Sequence, residues 1–395
     1  MSILSDENEY GINTLCVHAG EVPEALGSIV TPIYQNATFL YPYALDAEGK
    51  YTDERPSYFY TRLGNPTVRA VERKLSVLEG ADDAVGFSSG MAAITTTILS
   101  LIGEKGHIIS VRDLYGGTYS FFTQMVPRLG HSVSYFSRND IFNLDEQLRE
   151  NTRILYVETP TNPTLDIYDL REIFKFAHEH SLIAIMDNTF PSPVNLQPLA
   201  LGADVVIHSA TKYLSGHSDI VAGIAAGSSA LMEKVREAMT VYGGCMDPHT
   251  AFLLERGMKT LYLRVKKQNE NAMAIAEYLQ GHRKVSRVLY PGLSEHPGHD
   301  IARSMMKGFG GMLSFELRGM KAQAQRFIKS LKLAKVAASL GGVESLVTIP
   351  ADTSHRQLNA EELRERGIGE TLIRFSAGIE DEEDLIEDIA KALEV

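Results

Sequence analysis

Residues 204–218 read DVVIHSATKYLSGHS. An apolar run, Val205 to Ile207, ends at His208, and Lys212 follows almost at once, between the hydroxyls of Ser209 and Thr211 and a Gly-His pair. A run that is apolar on consecutive residues belongs to a strand covered on both faces, which is the condition of a parallel sheet between helices. The lysine then stands just past the carboxyl end of such a strand, on the rim where open α/β sheets take their ligands.

The same rhythm extends outward from about residue 65 to 226. The runs DDAVGFS, HIISV, SVSYF, RILYVE, LIAIMD and IVAGIAA read as further strands, and GMAAITTTILSLI, TYSFFTQMVPRL, NLDEQLREN and DLREIFKFAHEH as the helices between them. This alternation predicts an α/β fold with a mostly parallel sheet flanked by helices. Residues 1–63 lack it; they carry prolines and tyrosines (TPIYQNATFLYPY, ERPSYFYTRLGNP) and read as an irregular arm. One long helical pattern begins near Pro248, followed by two spaced strands, GGMLSFEL and TLIRFSAG, and an amphipathic helix from Glu382, an α+β pattern. The expected division is an arm over 1–63, an α/β domain over 64–257 and a smaller C-terminal α+β domain over 258–395.

At 395 residues the chain exceeds the size at which one core usually stops growing. A formal net charge of −12 argues against nucleic acid or an anionic membrane as partner. No run reaches the length of a membrane span, and the first residues lack the basic-then-apolar pattern of a secretory signal. The only cysteines, Cys16 and Cys245, have neither disulfide nor metal spacing, so no metal is expected and a cytoplasmic location is.

Three features of the rim carry chemistry. In SSGMAAI (88–94) a strand gives way to a helix, and the amides of Gly90 and Met91 would point outward with the helix dipole behind them. That suits a phosphate; the residues also read as a serine-capped turn and nothing more. Asp187 closes the run LIAIMD; it could accept a hydrogen bond from a protonated heterocyclic nitrogen, as a pyridoxal ring requires, or cap its own turn. Lys212 could act as a nucleophile if burial or neighbouring positive charge lowers its pKa, with Ser209 and Thr211 donating to a phosphate; taken alone, a lysine after a strand is usually solvated.

The run 204–218 resembles the lysine signature of the Cys/Met-metabolism family of pyridoxal-phosphate enzymes. The resemblance continues through TPIYQNATF, YTRLGNPT, SSGMAAI, DLYGGT, VETPTNPT, SLGGVESL and IRFSAGIED, nearly the whole chain in the family's order. It implies the fold-type I transferase fold and pyridoxal 5'-phosphate as cofactor. Lys212 would hold the cofactor as a Schiff base and shuttle protons between substrate carbons, and Asp187 would pair with the ring nitrogen. Gly90, Met91, Ser209 and Thr211 would bind the phosphate, joined by Tyr60 and Arg62 from a neighbouring subunit. Tyr115 would stack on the ring and help protonate the leaving group, with Glu158 and Asn162 beside the cofactor. Tyr60, Tyr115 and Asn162 would also meet the substrate, and Arg374, helped by Ser339, would clamp its α-carboxylate. From the residues alone, Tyr115 reads as a packed turn aromatic and Arg374 as a surface ion-pair arginine. A homotetramer, a dimer of dimers with shared active sites, is the implied assembly.

Within the family the reaction varies, and the signals here are mixed. Methionine γ-lyases usually carry Cys at the position of Gly117, and SLGGVESL resembles the cystathionine enzymes. Those enzymes usually carry Glu just before the serine, where this chain has Ala338, and an apolar residue there fits a substrate with an uncharged tail. The expectation is γ-elimination of methionine, homocysteine or cystathionine to 2-oxobutanoate, ammonia and a thiol. The alternatives are γ-replacement on an O-acyl-homoserine and, from another class, a non-catalytic cofactor-binding scaffold.

Overall fold

Seven of the runs read as strands come together in one sheet. A computed structural model describes residues 9–21, 27–39, 58–353, 356 and 359–395. The strands are β1 (Asp83–Phe87), β2 (His107–Val111), β3 (Ser132–Phe136), β4 (Thr152–Glu158), β5 (Ile183–Asp187), β6 (Val205–His208) and β7 (Gly223–Gly227). Their order is β1-β7-β6-β5-β4-β2-β3. β2 to β6 pair in parallel, and only β7 runs against both its neighbours. Ala184, Ile185 and Met186 on β5 and Val205, Val206 and Ile207 on β6 are all fully buried. Covering each large side chain is worth about 1.5–3 kcal/mol, which is why these runs are apolar on every residue.

The helices start where the sequence caps them. Asn65 accepts from the Thr67 amide at 2.9 Å and starts Pro66–Glu79; Ser89 accepts from the Ala92 amide at 3.0 Å and starts Gly90–Leu101. Three expected helices differ. TYSFFTQMVPRL breaks into Gly116–Ser120, a wider turn at Phe121–Met125 and a 3₁₀ turn at Pro127–Leu129. NLDEQLREN lies largely in a 3₁₀ segment, Arg138–Gln147, kinked at Asn143. The long pattern from Pro248 is two helices, Pro248–Met258 and Leu261–Gln280, interrupted at Lys259 and Thr260.

The C-terminal part forms a second sheet of β8 (Val285–Leu289), β9 (Met312–Leu317), β10 (Lys335–Val336), β11 (Leu346–Thr348) and β12 (Leu372–Ser376), in the order β10-β11-β12-β9-β8. It has its own core around Leu313, Phe315, Ile373 and Phe375. Leu261–Gln280 joins the two regions: Leu261 and Val265 pack with the large-sheet side, whereas Ala272, Ile275 and Leu279 belong to the small-sheet core. In the expected arm, residues 1–8, 22–26 and 40–57 lie outside the described residues; the rest includes a short helix, Ile12–His18, and a bridge between Thr38 and Tyr60. Lys74 fastens that helix by donating to the carbonyls of Cys16 (3.1 Å) and Val17 (3.0 Å). Among the described residues no helix is long and apolar enough to cross a membrane, and no cluster of His, Cys, Asp and Glu could hold a metal.

Candidate active site

The parallel strands deliver their last residues to one rim. Glu158 ends β4 and Asp187 ends β5, and register makes them direct neighbours. β6 ends at His208, and the chain turns through Ser209–Lys212 immediately after it. β1 ends at Phe87, so the turn to Ser89 and Gly90 opens on the same side. A cavity of about 990 Å³ lies over this rim and is closed from above by the chain between β10 and β11 and by β12. Every residue carried over from the resemblance walls it, except Tyr60 and Arg62.

At one end the cavity is built for an anion. The amides of Gly90 and Met91 open the helix Gly90–Leu101 and have no acceptor among the described residues. A Cβ on Gly90 would lie 2.8 Å from Ser209 Cβ, so only bare backbone fits against that serine. Two free amides, a helix dipole and the Ser209 hydroxyl meet the requirements of a phosphate. Thr211 lies beside them on the cavity wall; its Oγ1 accepts from the Ala222 amide at 3.0 Å and donates to the Ala222 carbonyl at 3.3 Å.

Two buried carboxylates meet next to it. Asp187 Oδ1 accepts from the Thr189 amide at 3.0 Å and from the Thr189 hydroxyl, while Thr189 Oγ1 accepts from the Ser209 amide at 2.8 Å. Burial raises the Asp187 pKa, and the Thr189 hydrogen bonds pull against that. Glu158 accepts from the Tyr115 amide at 2.9 Å; burial and then the Asp187 charge push it well above the ordinary carboxylate range. No lysine or arginine pairs with either acid among the described residues. A buried acid gains more than a solvated one from a cationic N–H, so Asp187 would suit the protonated nitrogen of a pyridine ring. Tyr115 is 47% exposed at the cavity wall, and its ring leaves no room for a side chain at Gly117, where a Cβ would lie 2.6 Å from Tyr115 Cε1.

Lys212 stands on the same wall, held by Ser339. Its amine donates to Ser339 Oγ at 2.8 Å, and burial followed by the Arg374 charge lowers its pKa to about 8. Ser339 has φ +101°, a left-handed conformation that costs a non-glycine residue about 1–3 kcal/mol. Bonds on both sides hold it there, because its carbonyl accepts from Arg374 Nη2 at 2.9 Å. Arg374 also donates to Asn162 Oδ1 at 3.2 Å, is buried, and has no carboxylate partner among the described residues. Burial brings its pKa down to about 10, so it is a cation held ready for an incoming acid rather than the surface ion pair its sequence context suggested.

The lysine turn is fixed from behind. Arg264, on Leu261–Gln280, donates to the carbonyls of Tyr213 (2.8 Å) and Gly257 (2.7 Å). Gly216 has φ +71°, and a Cβ there would lie 2.0 Å from the Arg264 guanidinium. Among the described residues no carboxylate balances Arg264; backbone carbonyls and the Thr260 hydroxyl accept from it instead.

Tyr60 and Arg62 stand elsewhere. Arg62 donates to the Thr240 carbonyl, its guanidinium lies 5.6 Å from the Tyr60 ring centroid, and both residues are exposed. The sequence reading missed Thr189, whose Asp-Asn-Thr context is itself a turn signal, and missed Asp352 and Arg356 on the cavity wall. These last two mean that the wall is not purely apolar, although Ala338 is part of it.

The profile of the Cys/Met metabolism PLP-dependent enzymes matches residues 13–394. The chain is 39% identical to an L-methionine gamma-lyase of Fusobacterium nucleatum subsp. polymorphum, over 98% of this chain and 99% of that protein. It is 43% identical to a cystathionine gamma-lyase of Bacillus subtilis, over 96% and 98% respectively. The crystal structure of cystathionine gamma-lyase from Lactobacillus plantarum complexed with L-serine superposes with a TM-score of 0.91 at 37% identity, covering 98% of this chain and 99% of that one. With the rim geometry, these matches identify the chain as a member of the Cys/Met metabolism family of PLP-dependent enzymes, with the fold-type I architecture.

Proposed function

We propose that this protein catalyses γ-elimination on sulfur-containing amino acids, giving 2-oxobutanoate, ammonia and a thiol. The observation that carries the reading is the Lys212 amine, with its pKa lowered to about 8, in one cavity with the Asp187 carboxylate and with an Arg374 that no acid neutralises among the described residues. Bound pyridoxal phosphate supplies an electron sink for a carbanion at the substrate's α-carbon. Gly90, Met91 and Ser209 hold its phosphate, and Asp187 takes the hydrogen bond of its ring nitrogen. Arg374 turns its fork to the substrate α-carboxylate, a bidentate pairing that fixes the α-carbon relative to the lysine. Lys212, neutral above about pH 8, moves protons one at a time: it takes the α-proton and passes it on, then takes a β-proton as the γ-thiolate leaves, and protonation of the γ-carbon with hydrolysis by water gives 2-oxobutanoate and ammonia. Tyr115 stands at the cavity wall to protonate that leaving group.

The runner-up is γ-replacement on an O-acyl-homoserine. In its favour, a cavity of about 990 Å³ lies at the upper end of the range for small-molecule sites and leaves room for a second nucleophile. A homotetramer with shared sites is part of the proposal, supported by the exposure of Tyr60 and Arg62 outside their own chain's cavity. So are a cytoplasmic location, supported by two free cysteines, and the division at residues 63/64 and 257/258, supported by the separate small-sheet core. One assay tests the reaction. The purified protein with pyridoxal phosphate is given methionine, cystathionine, homocysteine and O-acyl-homoserines, with and without cysteine, and 2-oxobutanoate, thiols and cystathionine are measured. 2-Oxobutanoate from a thioether substrate without an added thiol supports elimination. Product only from the ester plus cysteine supports replacement, and no turnover of any substrate leaves the scaffold reading.

A further inference from the structure

Behind the rim, on the face of the large sheet away from the cavity, three polar side chains are sealed in the core. Register pairs Asp187 with Ile207 and His208 with Ile224, so Asp187 and His208 point to opposite faces. Ile224 belongs to the core under the helix Pro66–Glu79, with Val71, Leu75 and Leu78, and the last residue of that helix meets His208. Glu79 Oε1 accepts from His208 Nε2 at 2.6 Å and from Asn188 Nδ2 at 2.9 Å. Glu79, Asn188 and His208 are all buried, none of them more than 1% exposed. No lysine or arginine pairs with Glu79 among the described residues, and its Oε2 has no partner there. Burying a carboxylate in this way is costly, and apolar side chains of the same shape would pack without that cost. The trio therefore calls for a use other than packing.

Its place supplies one. A single acid grips the residue after Asp187 and the residue before Ser209, the two strand ends that carry the ring's acid and the lysine turn. Burial raises the Asp187 pKa; the Thr189 bonds, then the charge of His208 and lastly Tyr156 on β4 work against it. The other acid facing Asp187 is Glu158, also on β4. His208 is thus the one basic side chain set against Asp187 from behind. We propose that Glu79 and His208 are positioning residues for Asp187, with Glu79 orienting the imidazole and the imidazole holding Asp187 as the anion that a protonated ring nitrogen needs. The carboxylate only accepts, so the hydrogen of Nε2 faces it, and an anion on one nitrogen favours the charged ring. A positive ring behind the strand in turn favours the anion in front. The role concerns the cofactor's ring, so it is the same for elimination and for replacement.

The test uses the full chain carrying Glu79→Gln, His208→Gln or both. Glu79→Gln keeps an acceptor for both N–H groups and removes only the charge. Pyridoxine 5'-phosphate, which cannot bond covalently to Lys212, is titrated into the cofactor-free protein, and its ultraviolet spectrum gives the share of ring-protonated ligand across pH. On the holoenzyme, kcat and KM are measured with a substrate that the wild type turns over. Each single variant is expected to lose ring-protonated ligand at neutral pH, and to lower kcat about fivefold or more with KM within about twofold. The double variant is expected to match His208→Gln, because Glu79 acts through the imidazole. Wild-type ring protonation in both single variants would overturn the proposal, even beside a lower melting temperature, since a packing role alone lowers stability without touching the ring. Additive losses in the double variant would overturn it too. Should Glu79→Gln fail to fold, the spectrum with His208→Gln decides. The ring is read without turnover, so failure of this inference is distinct from failure of the elimination reading.

Discussion

Lys212 differs from a solvated lysine in two ways, its burial and the nearby guanidinium of Arg374. The amine is therefore half neutral near pH 8 rather than near 10.5. Covalent capture of pyridoxal phosphate by the cofactor-free chain needs the neutral amine, so its rate is expected to rise with pH with a midpoint near 8. Arg374→Met removes the positive neighbour and should move that midpoint upward, whereas a midpoint unchanged or lowered in stopped-flow absorbance would show that Arg374 does not tune the lysine. Lys212→Ala is expected to bind the cofactor without a covalent link that borohydride can fix, and to lose nearly all turnover. Gly90→Ala tests the cradle: its new Cβ would sit 2.8 Å from Ser209 Cβ, and the affinity for pyridoxal phosphate should fall at least tenfold while far-ultraviolet circular dichroism stays unchanged.

At the scale of elements, the large sheet was legible because its central strands β5 and β6 are almost wholly buried and apolar, while the half-buried edge strand β3, with Ser134 at its middle, is marked by its place in the alternation with helices. The small sheet was half legible. β9 and β12 are its buried centre, whereas β8 exposes Ser286 and Arg287 and β10 exposes both its residues, so their runs carry little apolar signal. The break at Lys259 and Thr260 was hidden because apolar spacing continues across it. In the site, the rim residues stood out since each follows a strand end, but Asp352 and Arg356 lie some 140 residues from Lys212 in a segment without periodicity. Arg264 shows what spacing cannot reveal: its three carbonyl acceptors belong to a turn and a helix end brought together only by folding. Arg264→Met should strip those carbonyls of a charged donor, cost about 3 kcal/mol in chemical denaturation, and loosen the lysine turn. Unchanged stability would show that water replaces the guanidinium without penalty.

For the whole molecule, the exposed Tyr60 and Arg62 carry the assembly proposal. Arg62→Ala and Lys212→Ala subunits should each be inactive alone. Mixed and allowed to exchange, they should regain part of the activity, because one hybrid site then receives both intact residues; no recovery despite proven exchange would mean that each site is made within one chain. The helix Leu261–Gln280 has a consequence of its own. One half is rooted beside the lysine turn and the other in the small-sheet core, and Arg264 ties its first turns to the carbonyls next to Lys212. The bound cofactor's colour thereby becomes a gauge of how the two sheets are seated: in a denaturant titration, the change in absorbance at Lys212 should coincide with the melting of the distant small sheet, with no coloured, half-unfolded species between.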